Sequence, residues 1–161
     1  MEKQLLIRAA APADARELVR LIKALAEYEK LADMAVGTEE ALRESLFGAR
    51  PAAEALIAEV GGRAVGFAIF FSSFSTFLCK PGLYLEDLFV EPEHRGSGIG
   101  KALLQRLASL VVKRGGGRFE WRVLDWNEPS IRFYESLGAV VMREWLLVRL
   151  AGQELEHFAA R

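Results

Sequence analysis

Apolar positions along the chain follow two periods, and the switches between them predict its elements. A short apolar run at 4–8 reads as a strand. Leu18, Leu21, Ile22 and Leu25 then recur at helical spacing behind Pro12, which suits a first turn, so an amphipathic helix is expected over 12–30. Thr38, followed by Glu39 and Glu40, reads as the capped start of a second helix. Strands at 54–60 and 63–71 flank Gly61-Gly62, a hairpin turn, and the second is rich in aromatic and branched residues. Residues 72–82 show no regular period and close on Pro81-Gly82. A strand at 83–90 precedes a helix from about 97 to 114, with Ile99, Leu103, Leu107, Leu110 and Val111 on one face and Gly115-Gly116-Gly117 at its end. A strand at 118–124, a short helix at 127–137 stopped by Gly138, strands at 139–143 and 145–150 and a last short helix at 153–160 complete the chain.

This order predicts a single α/β domain over 1–161, a mixed sheet of about seven strands flanked by helices. The crossover from 83–90 through a helix to 118–124 places those two strands parallel and adjacent. Ligands of such sheets gather at the carboxyl ends of the strands.

Composition narrows the picture. A net charge of −1 over 161 residues gives no general case for nucleic acid or an anionic membrane as partner. Cys79 is the only cysteine, which excludes a disulfide scaffold and fits a reducing compartment. The apolar-rich run 64–78 is broken by Ser72, Ser73, Ser75 and Thr76 and is too short to span a bilayer. The first residues, MEKQLLIRAA, carry no long apolar core of a signal peptide. A soluble, cytoplasmic protein is expected.

Candidate chemistry concentrates around EPEHRGSGIGK (91–101), where three glycines and two cations sit between a strand and a helix. A helix N-terminus offers unpaired N–H groups and about half a unit of positive charge, and glycine lets an anion approach the backbone closely. Gly96, Gly98 and Gly100 with Arg95 and Lys101 therefore read as a phosphate or pyrophosphate site. Two other phosphate motifs fail here. A Walker loop requires Gly at 95 and Ser or Thr at 102, where the chain has Arg95 and Ala102, and a dinucleotide fingerprint requires Gly at 101, which is Lys101. Glu86 and Asp87 interrupt an otherwise apolar strand. Adjacent carboxylates point to opposite faces of a regular strand, so one must be buried or lie at a bulge. His94 and His157 are far apart and Cys79 has no partner pattern, so no metal site is expected.

Arg95, Gly98 and Gly100 in the order R-x-x-G-x-G resemble the acyl-CoA pyrophosphate loop of the GNAT superfamily of N-acetyltransferases. LYLEDLFV (83–90) before the loop and WNEPSIRFY (126–134) after it resemble its diamine acetyltransferase branch, which includes spermidine/spermine and thialysine acetyltransferases. The resemblance implies the GNAT fold, with a mostly antiparallel sheet, and acetyl-CoA as co-substrate. It implies that the backbone of Leu88, Phe89 and Val90 pairs with the pantetheine arm. Gly96, Ser97, Gly98, Ile99, Gly100 and Lys101 would cradle the pyrophosphate with help from Arg95, and Asn127 and Ser130 would touch the cofactor. Tyr134 takes the place of the general acid and Glu86 that of the base. Asp87, Tyr28 and Glu29 would line the acceptor site beside Glu86. The implied reaction is acetyl transfer to a primary amine of a small cationic acceptor, a diamine or a lysine- or thialysine-like amino acid, by direct attack in a ternary complex. The branch also implies a homodimer, for which WLLVRL (145–150) is the candidate contact. A non-catalytic acyl-CoA sensor and an acetyltransferase of protein lysines or N-termini stand as alternatives.

Overall fold

The computed structural model describes residues 4–160, which form two compact units divided between Arg122 and Val123. The first contains strand β1 (Leu5–Ala9), helices α1 (Ala15–Tyr28) and α2 (Glu39–Phe47), strands β2 (Glu54–Val60), β3 (Arg63–Ser75) and β4 (Lys80–Val90), helix α3 (Ile99–Lys113) and strand β5 (Phe119–Trp121). The strands make one sheet in the order β1-β2-β3-β4-β5. Neighbours are antiparallel except β4 and β5, which are parallel, as the crossover through α3 requires.

Local chemistry sets the boundaries. Pro12 opens a short 3-10 turn before α1 begins, and the Thr38 side chain accepts from Ala41 N at the start of α2. Gly61 and Gly62 both have positive φ, which a tight turn between β2 and β3 demands. Residues 72–82 were expected to be irregular, yet β3 and β4 pair out to Ser75 and Lys80, leaving only 76–79 as the hairpin tip. Cross-strand pairing there overrides the serine-rich composition.

The sheet alternates its faces. Leu18, Leu21 and Leu25 of α1 pack with Leu46 of α2 onto Ile57, Phe67, Ile69 and Phe89. Leu88 and Val90 alternate with Phe89 and meet α3, since a methyl placed at Gly100 would lie 3.9 and 4.0 Å from them. Leu103 and Leu107, the buried stripe of α3, close that second face.

The second unit contains α4 (Glu128–Ser136) and α5 (Gly152–Ala159). The strands expected at 139–143 and 145–150 are irregular, so the sheet has five strands rather than about seven. Apolar composition reads as a strand, but a strand requires a partner edge, and none pairs with these segments among the described residues. Trp145, Leu146, Leu147 and Val148 are exposed.

Candidate active site

Strand β4 breaks its own register. Ile69 pairs with Asp87 and Phe70 with Leu85, so Glu86 is skipped as a bulge. The bulge resolves the problem posed by two adjacent acids. Glu86 is thrown out to solvent, while Asp87 falls beside Ile69 on the face that carries Phe89 and α1. Glu29 follows the last turn of α1 and is half-buried. Burial, then the negative charges of Glu86 and Glu29, push the Asp87 carboxyl up to about 6 against the opposing charge of Arg122. Burial also raises Glu29. The three acids expected at the acceptor site are thus one electrostatically coupled cluster. Tyr28, also expected there, ends α1 with its ring partly exposed.

Beyond the bulge β4 has an open edge. Its pairing with β5 covers Leu83, Tyr84 and Leu85 only. Among the described residues, no strand pairs with residues 86–90 on that side. This edge includes the expected pantetheine segment Leu88, Phe89 and Val90, and an extended chain bearing amides can add to such an edge as a further strand.

The edge runs into the glycine segment. Gly98 is the residue before α3, with φ 86°, and no side chain caps it. Ala102 N donates to Gly98 O at 2.9 Å as the first bond of the helix, which leaves the N–H groups of Ile99, Gly100 and Lys101 without intrahelical acceptors. Gly96 has φ 75°, and space is open where side chains at Gly96 and Gly98 would stand. These residues fit a pyrophosphate. Ser97 donates its hydroxyl to His94 O at 2.5 Å, and Lys101 is exposed on the first turn. Gly100 differs from the other two, because a methyl there would meet Leu88 and Val90 at ordinary contact distance. A β-carbon is accommodated at Gly100, on the side of the helix that faces β4.

Arg95 does not extend freely toward an anion. Its Nε donates to Val90 O at 2.9 Å, and its guanidinium lies 4.4 Å from the Tyr28 ring centroid and 5.4 Å from that of Phe89. It ties the glycine segment to the end of α1. Glu91 makes a second tie. Its buried carboxylate accepts from Arg20 Nη1 at 2.5 Å and Arg63 Nη2 at 3.0 Å, and its N–H donates to Val65 O at 2.9 Å. Ligand atoms of Glu91, Glu93 and His94 lie within 4.8 Å of one another, but the two guanidiniums on Glu91 oppose a cation there.

In the second unit, Asn127 Oδ1 accepts from Ser130 N at 3.4 Å and so starts α4, with Pro129 in its first turn. Tyr134 lies one turn after Ser130 and is half-buried, its ring 5.5 Å from that of Phe133.

Sequence reasoning missed Arg122. Its Nη2 lies 3.2 Å from Glu86 Oε1, and its guanidinium is 5.8 Å from the Tyr84 ring centroid. The signal was available, since a cation on the strand expected beside 83–90 must come near that strand's acids. Tyr84, stacked on Phe71 at 5.1 Å and raised in pKa by burial, was passed over with it.

Comparison with known proteins agrees with this geometry. The model of the acetyltransferase (GNAT) family matches residues 19–139. Thialysine N-epsilon-acetyltransferase from Sus scrofa is 36% identical over 167 residues, covering 97% of this chain and 98% of its own. L-ornithine N5-acetyltransferase from Arabidopsis thaliana is 33% identical, over 93% of this chain and 86% of its own. Among solved structures, an integron cassette protein from the mobile metagenome of V. cholerae superposes with a TM-score of 0.83 at 27% identity, covering 98% of both chains. The bulged strand with an open edge, the helix start opened by glycine and these matches carry one conclusion: the chain belongs to the GNAT family of acetyl-CoA-dependent N-acetyltransferases.

Proposed function

We propose that the protein transfers an acetyl group from acetyl-CoA to the terminal amine of a small cationic acceptor, by direct attack in a ternary complex. One observation carries the reading. Within one strand, β4 holds a bulged acid pair, an open edge of the kind that accepts an amide-bearing chain, and the lead into an uncapped helix start. Acetyl-CoA supplies the acyl group as a thioester. Residues 88–90 and 96–101 hold the co-substrate, Arg95 anchors the glycine segment that does so, and Asn127 and Ser130 are assigned to it through the motif they share. The match runs across the division between the two units, which supports a single catalytic domain.

An alkylammonium must lose a proton before its nitrogen can attack. Glu86 and Asp87 take that proton. Asp87, held at about 6, is the better matched of the two near neutral pH, while Glu86 is tied to Arg122. As the C–N bond forms and the C–S bond breaks, the sulfur gains charge, and the Tyr134 hydroxyl gives it a proton. The Tyr134 assignment rests on the motif that ends in this residue. Glu29 and Tyr28 hold the far end of the acceptor. We assign the protein to the cytoplasm on its single exposed cysteine, and no helix among the described residues is long and apolar enough to cross a membrane. A homodimer through the exposed run at 145–150 follows the branch it resembles, and light scattering at micromolar concentration tests it.

The deciding experiment is free-thiol release from acetyl-CoA across a panel of amines. Turnover is expected with small amines that carry a second charge. Tyr134→Phe should lower kcat by about 100- to 10,000-fold while coenzyme A affinity holds. A protein that binds coenzyme A and acetylates no small amine would be a sensor or a modifier of proteins instead.

A further inference from the structure

Within the acceptor cluster Arg122 is out of place if the acceptor is only a cation. Glu29, Glu86 and Asp87 supply three carboxylates, and a pocket selecting a simple diamine gains nothing from a guanidinium among them, because like charges repel. Arg122 is nevertheless held there, 3.2 Å from Glu86 and beside the Tyr84 ring. Its side chain is 41% exposed and that of Glu86 42%, so their ion pair is a weak surface pair that another carboxylate can displace. The planar guanidinium fork matches a carboxylate with two parallel bonds.

We propose that Arg122 recognises the carboxylate of the acceptor, which is an amino acid with a side-chain amine rather than a plain diamine. This deepens the acetyltransferase reading and rests on it. The acceptor's ammonium faces Asp87 and Glu29, and its carboxylate takes Arg122 in place of Glu86. Glu86 is released by that exchange and becomes available to the amine proton. A diamine lacks the group that performs the exchange and meets the Arg122 charge as a repulsion.

Lysine and 1,5-diaminopentane test this directly, since they differ only by the carboxylate. Wild type should prefer lysine in kcat/KM. Arg122→Gln should lower kcat/KM for lysine by about 10- to 100-fold, the value of a charge-assisted hydrogen bond. It should raise kcat/KM for 1,5-diaminopentane by about 2- to 5-fold, the value of one exposed charge contact. Arg122→Lys keeps the charge without the fork and should fall between. A residue that merely steadies β5 would move both substrates in the same direction, and an unchanged lysine-to-diaminopentane ratio would overturn the proposal while leaving the acetyltransferase reading intact. Failure of wild type to acetylate any amine would overturn both.

Discussion

Replacing Asp87 by asparagine should make the protein more stable and less active. The folded chain holds this carboxyl up at about 6, against 3.8 for the free group, because burial and the charges of Glu86 and Glu29 disfavour its ionised form. A raised carboxylate pKa means that the folded state binds the proton more tightly than the unfolded one. The contribution of this one group to stability is therefore fully present below 3.8 and is lost as pH rises through about 6. That displacement corresponds to about 3 kcal/mol at neutral pH. Asp87→Asn keeps the shape and abolishes the charge, so it should recover about 2–3 kcal/mol at pH 7.5 and only about 1 kcal/mol at pH 4.5. For a chain of this size the gain is worth about 5–10 °C in Tm.

Urea unfolding of wild type and variant at the two pH values measures the difference. Thiol release on the same samples should show a loss of about 100-fold or more, the usual worth of a general base. An equal gain at both pH values would mean that the charge is not what the fold resists. A loss of stability at pH 7.5 would mean that the carboxylate is compensated by interactions beyond the opposing charge of Arg122, and the burial reasoning would fail.

Two further substitutions address the glycine segment and its support. Gly98→Ala places a side chain in open space at φ 86°, so it should cost about 1–2 kcal/mol of backbone strain and weaken coenzyme A binding by more than tenfold, whereas Gly100→Ala meets Leu88 and Val90 at ordinary distance and should change neither by much; equal effects in calorimetry would reject the division of labour. Glu91→Ala removes a buried acceptor from two guanidiniums that remain partly in water, so it should cost about 2–3 kcal/mol in urea unfolding, and an unchanged midpoint would show that the clasp contributes nothing.

The parts of this architecture legible in the sequence were those fixed by local chemistry. The leucine stripes of α1 and α3, the Thr38 and Asn127 caps and the turn at Gly61-Gly62 each depend on residues a few positions apart. Parallel pairing of β4 with β5 was also legible, because the handedness of a crossover restricts it. What stayed hidden depends on partners far along the chain. No local signal distinguishes 145–150, strand-like in composition and unpaired here, from 72–75, polar in composition and paired. The bulge was foreshadowed by two acids in an apolar strand, but its position at Glu86 is set by the register against β3. Arg95 has a cation's sequence signature for an anion, yet the aromatic ring of Tyr28, 67 residues away, holds its guanidinium.

Why both acids sit at a bulge follows from what β4 must do at once. A regular strand would place Leu85 and Asp87 on one face and pair its far edge continuously with β5. Skipping Glu86 keeps Asp87 on the α1 face with Phe89 while Leu85, paired with Phe70, turns to the other, and pairing with β5 ends at the same point; burial there, with the charges of Glu86 and Glu29, raises the proton affinity of Asp87. The proposed proton acceptor and the proposed edge for a second chain therefore meet at one inserted residue. Restoring the register would cost more than one catalytic group. It would set Leu85 on the face of Asp87 and Phe89 and draw Glu86 back into the ladder. The burial of a carboxylate weakens the fold at the place where the proposed chemistry needs it.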